Sequence, residues 1–131
     1  MSVQKSFNSE IEGDTLIVMP RGSVGSLAGQ YFKPEVDGLL SQIKKHDLKY
    51  VLVDLAEVSY FGTMMLGTMH QLFKHVRDGG GGMVLCNVSV VGREILRVSG
   101  FDSLWPICRS RQEALQALRD KPQSLPDTAD S

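Results

Sequence analysis

Few residues in this chain have both the type and the setting for chemistry. The first is Thr63, in "VSYFGTMMLGTMHQLF". The stretch reads as a strand end, a tight turn at Gly62 and Thr63, then a helix. A hydroxyl at a helix start can cap free backbone N–H groups. Those same N–H groups and the helix dipole also favour a phosphoryl group. The turn invites comparison with a nucleophile elbow, Gly-x-Ser-x-Gly between strand and helix. The match is poor, because Gly62 directly precedes Thr63 and Met65 fills the place of the second glycine. No base accompanies the hydroxyl, so an enzyme is not expected.

His70 and His75 lie five apart on one predicted helix, with His46 elsewhere. That spacing puts the two on diverging faces, unlike a metal pair at i, i+4. They read as solvated or partly packed side chains. Cys86 and Cys108 sit in the apolar runs "MVLCNV" and "LWPIC" and read as buried, inert thiols rather than a disulfide. No Cys/His cluster suggests a metal, and no cofactor is expected. "RGSVGSLAG" joins a strand to a helix, the setting of a phosphate loop. Its glycines at 22, 25 and 29 match neither dinucleotide nor Walker spacing, so it reads as a turn of small residues. The glycines at 79 to 82 follow a helix and precede a strand, the wrong order for such a loop. They read as a flexible turn in which one glycine takes the left-handed cap position. Asp54 ends a buried strand, where its carboxylate is expected to accept hydrogen bonds from the loop.

The elements that must position these residues are legible as patterns. The chain has 131 residues, which suits one domain, here residues 1–120. "TLIVMPRG" reads as a strand, and an earlier strand includes Phe7 and Ile11, with "EGD" as the turn. Spacings of three and four from Leu27 to Ile43 mark an amphipathic helix. Ser26 is its expected cap, and Pro34 predicts a kink or a start near Lys33. "YVLVDL" suits a strand buried on both faces, as in a parallel sheet. A helix follows from about Thr63 to Arg77, with Leu66, Met69, Leu72, Phe73 and Val76 as its buried stripe. Met64 and Met65 start it and cannot both point inward. "MVLCNV" is the next strand, "VVGREILRVSG" a short helix ended by Gly100, and "LWPIC" a last short strand. "RSRQEALQALRD" is a final helix, with Ser110 and Glu113 as a capping box. The tail, 121–131, is polar and proline-containing and is expected to be disordered. Strands alternate with helices, so the fold class is α/β.

Composition narrows the function. The net charge is −1, with no positive field for a phosphate backbone, so no nucleic acid is expected. The N-terminus lacks the apolar core of a signal peptide, and no run approaches the ~20 residues of a membrane span. A cytoplasmic protein without direct membrane insertion is expected.

In this order of elements, "VLVDLAEVSYFGTMMLG", "GGMVLCNVS" and "ILRVSGFDSLWPI" resemble the STAS domain of bacterial anti-sigma factor antagonists, stressosomes and sulfate transporters. Asp54, Val58, Tyr60, Leu66 and Gly67 match the family pattern, as do Gly81, Gly82, Cys86, Ser89 and Ser99-Gly100-Phe101. The resemblance spans about residues 10 to 118. It implies a mixed, partly parallel sheet of four to five strands with about four helices, mainly on one face. It also implies a non-catalytic protein-interaction module. Thr63 takes the place of the serine that switching members phosphorylate, while Gly62, Met64 and Met65 replace the neighbouring aspartate, serine and glycine. Ser23, Val24, Gly25, Ser26, Gly62, Thr63, Met64 and Met65 are the expected contact residues, with Asp54 as structural support. The implied partner is an anti-sigma factor acting as a serine kinase, or a related regulator. A homodimer and a scaffold role in a stressosome-like or transporter complex remain open.

Overall fold

The apolar runs "TLIVMP", "YVLVD" and "GMVLC" form the middle of one sheet, and each is buried on both faces. A computed structural model describes residues 7–21 and 29–120. Its elements run β1 (Phe7–Glu12), β2 (Thr15–Pro20), α1 (Gly29–Lys45), β3 (Tyr50–Asp54), α2 (Thr63–Asp78), β4 (Gly82–Cys86), α3 (Val90–Ser99), β5 (Ile107–Cys108) and α4 (Arg111–Asp120). The expected contact residues Ser23, Val24, Gly25 and Ser26, the Ser26 cap and the 121–131 tail lie outside the described residues.

The strands lie in the order β1-β2-β3-β4-β5. β1 pairs antiparallel with β2, through a two-residue turn led by Gly13 at φ 62°. Glycine at that place suits the tight hairpin turns that match strand twist. The remaining pairs are parallel. Parallel neighbours need crossovers, and right-handed crossovers stepping one way along a sheet keep their helices on one side. α1, α2 and α3 accordingly share a face.

Side chains on a strand alternate between faces, and the two cores follow that alternation. Leu16, Val18, Val51, Val53, Met83 and Leu85 meet α1, α2 and α3. Ile17, Leu52, Val84 and Cys86 meet Ala114 and Leu118 of α4. The expectation of four to five strands and about four helices, mainly on one face, is met by five strands and four helices, three of them on one face.

Two details differ from expectation. α1 begins at Gly29 and runs through Pro34, rather than starting near Lys33. Pro34 is the sixth residue of the helix, past the first turn, so the carbonyl four residues back goes without its donor. The glycine turn after α2 is also more specific than a flexible linker. Gly80 takes a left-handed φ of 91°. A Cβ on Gly81 would overlap the Lys49 carbonyl, so backbone must pass backbone there.

Candidate protein-interaction site

The carboxyl ends of the parallel strands gather the helix starts at one rim of the sheet. There the loop between β3 and α2 is pinned by Leu55, Val58 and Phe61, each buried. Between those anchors the chain can only present what lies in between, and Tyr60 is 56% exposed. Burying three such side chains is worth about 1.5–3 kcal/mol each. The loop is therefore held by its core side and offers its other side to solvent.

Asp54 fixes the start of this loop. Its Oδ1 accepts hydrogen bonds from Ala56 N at 3.1 Å and Asn87 Nδ2 at 3.0 Å. Its Oδ2 accepts from Arg111 Nε at 3.2 Å. The expected loop hydrogen bond is there, and the carboxylate does more: it joins the loop before α2, the loop before α3 and the first residue of α4. Arg111 also pairs with Glu10 Oε1 at 3.4 Å.

Ser89 adds a second tie. Its Oγ donates to Ser59 O at 2.8 Å and accepts from Gly92 N at 2.9 Å. It thus caps α3 and holds the Tyr60 loop at once. Gly92 lets this turn close up, since a Cβ there would sit 3.1 Å from the Phe61 ring.

Thr63 is not the helix cap. Gly62 occupies the N-cap position in an extended conformation, and no side chain caps α2. The physical reason is register. The Gly62 carbonyl already accepts from Leu66 N at 3.1 Å, so Thr63 is the first helical residue. A residue with helical backbone angles turns its side chain away from the free N–H groups of the first turn, which only the residue before it is placed to cap. Its hydroxyl is left exposed.

The two methionines divide as their positions on a helix require. Met64 is 46% exposed and Met65 is completely buried. Met65 is therefore core and cannot itself touch a partner, against its place in the expected contact set. Thr68 Oγ1 donates to the Met64 carbonyl at 3.0 Å, which turns that hydroxyl back onto its own helix. Thr63 and Met64 line one end of a groove of about 440 Å³ between α1 and α2, with Lys33 and Asp37 on its other wall.

The remaining candidates lie away from this rim or below it. His70 packs against Phe101, ring centres 5.8 Å apart, and His75 is exposed. Both cysteines are free thiols. Burial, then the nearby Asp54 charge, pushes the Cys86 thiol up to about 12 from 9.0. It stays protonated at neutral pH and is a poor nucleophile. Among the described residues no three His, Cys, Asp or Glu side chains converge as a metal set.

Sequence reasoning missed Arg111, and it named Ser89 only as a family match without its role as cap and tie. Arg111 is 57 residues from Asp54, and nothing local marks the pair. Ser89 had a signal, a serine just before an apolar helical run.

Comparison with known proteins points one way. A family model described as STAS domain matches residues 6–114. A Bordetella bronchiseptica protein named as a candidate anti-sigma factor antagonist, BtrV, is 31% identical over 104 residues, covering 79% of this chain and 86% of its own. An anti-sigma factor antagonist (STAS) domain protein from Planctomyces limnophilus superposes with a TM-score of 0.75 at 23% identity, covering 87% of this chain and 98% of that one. The anti-sigma factor antagonist SpoIIAA of Bacillus, in its unphosphorylated form, gives a TM-score of 0.67 at 15% identity over 86% and 96% of the two chains.

Proposed function

Because the chain belongs to the STAS domain family, we propose that it works as an anti-sigma factor antagonist: a non-catalytic module whose carboxyl rim binds a regulatory protein. The observation that carries this is the turn before α2. It is fixed from below by Asp54 and three buried apolar anchors, yet it presents Tyr60, Thr63 and Met64 outward. A pre-organised loop with exposed apolar groups loses little freedom on binding. The contact set is Gly62, Thr63 and Met64, joined by Ser23, Val24, Gly25 and Ser26, which connect β2 to α1. The partner is an anti-sigma factor, and the work is done in the cytoplasm. No helix among the described residues is long and apolar enough to cross a membrane.

A phosphoswitch is the second reading, favoured by the free Thr63 hydroxyl. A phosphate there would add roughly two negative charges beside Met64 and oppose an apolar contact.

Calorimetric titration with a purified anti-sigma factor from the same organism tests both. Native protein should bind, and Met64→Asp should weaken binding by about tenfold or more. Undiminished binding by that variant removes the proposed surface. Incubation with the partner and ATP should place phosphate on Thr63 and none on Thr63→Ala. Phosphate that persists in the variant removes the switch.

A further inference from the structure

Charged residues make up 22% of the chain, yet residues 58–69 and 86–92 contain none. The fold brings these two stretches together. Ser89 Oγ bonds the Ser59 carbonyl, and the first turn of α3 closes on Phe61 through Gly92. Among the described residues six large apolar side chains are exposed, and four of them lie here: Tyr60, Met64, Val90 and Val91. Val90 is 85% exposed and Val91 is 51% exposed. Single exposed apolar side chains need no explanation. Four on one uncharged surface, tied together by a side-chain hydrogen bond, form a patch of the kind that marks protein contacts.

We propose that the contact face extends from the turn before α2 onto the start of α3, and that its occupant is a protein partner with a matching apolar, uncharged surface. The proposal rests on the protein-binding reading above and names the chemistry of that partner. The argument is charge complementarity. A charged partner surface would shed water against this face and find no counter-charge, which costs free energy. An apolar surface would gain from burial of both sides. Charges flank the patch at Glu57 and Arg93 in sequence, and at Lys33 and Asp37 across the groove from Met64, where they pair with each other at 3.9 Å.

Titration of the full chain with the purified anti-sigma factor, at low and at high sodium chloride, is the test. Affinity should change by less than about twofold with salt, and the heat-capacity change of binding should be negative. Val91→Lys and Tyr60→Lys should each weaken binding by about tenfold or more. Val98→Lys lies on the same helix but outside the patch, at a residue 71% exposed. It should bind as the native chain does. Melting curves establish that each variant is folded. If Met64→Asp abolishes binding while Val91→Lys and Tyr60→Lys do not, the extension is wrong and the protein-binding reading stands. A steep loss of affinity with salt overturns the apolar chemistry. No binding by the native chain overturns both readings. A native dimer in sedimentation that Val91→Lys dissociates overturns the choice of occupant in favour of a second copy.

Discussion

The two ends of α2 are built in opposite ways. At the C-terminal end the helix closes on itself. Gly79 N and Gly81 N both donate to the Val76 carbonyl, at 3.1 and 2.8 Å, and Gly80 N donates to Arg77 O at 2.9 Å. The turn then presses Gly81 against the Lys49 backbone. At the N-terminal end no side chain caps the helix, one hydroxyl faces solvent and one methionine stands out from the surface. A helix end that satisfies its own groups has nothing left to offer a partner. The end left unfinished is the one that can bind, and its stability comes from the loop beneath rather than from the cap.

Substitutions at the two ends should separate these roles. The largest effect belongs to the closed end. Gly81→Ala puts a methyl group into the Lys49 backbone, and should cost about 3 kcal/mol in urea unfolding. Partner binding per folded molecule should be unchanged. A neutral result would mean that the close approach of the two backbones is dispensable. Next comes the cap that does exist. Ser89→Ala removes the α3 cap and the tie to Ser59, and should cost about 1 kcal/mol. The smallest effect belongs to the open end. Thr63→Ala removes no cap, and should shift stability by less than about 0.5 kcal/mol. If Thr63→Ala cost as much as Ser89→Ala, the contrast between the two helix starts would be lost.

That last pair also marks where sequence reading worked and where it stopped. The apolar runs and their periods identified five strands and four helices, because period-2 and period-3.6 burial leaves a direct trace in residue order. That Met64 and Met65 cannot both point inward followed from the geometry of a first helical turn, but which of them is buried did not. The role of Thr63 did not follow, because capping depends on register to a single residue, and helix boundaries are less certain than that in sequence. Asp54 was legible as a carboxylate ending a buried strand, whereas its bond to Arg111 joins distant parts of the chain through packing that no local pattern encodes. Exposure of Val90 and Val91 was hidden too. An apolar pair at a helix start looks the same in sequence whether it is covered or bare.

The second face of the sheet has a consequence for synthesis. Ile17, Leu52, Val84 and Cys86 are covered by α4, through Ala114 and Leu118. Among the described residues α4 is the last helix to leave the ribosome. Until it emerges, a nascent sheet already backed by three helices presents a flat apolar wall, with β2, β3 and β4 all contributing. Such a surface invites chaperones or other nascent chains. A chain cut short before Arg111 would lose that cover and the Arg111 tie to Asp54 together, so that solubility would fail and the loop under the binding rim would loosen with it.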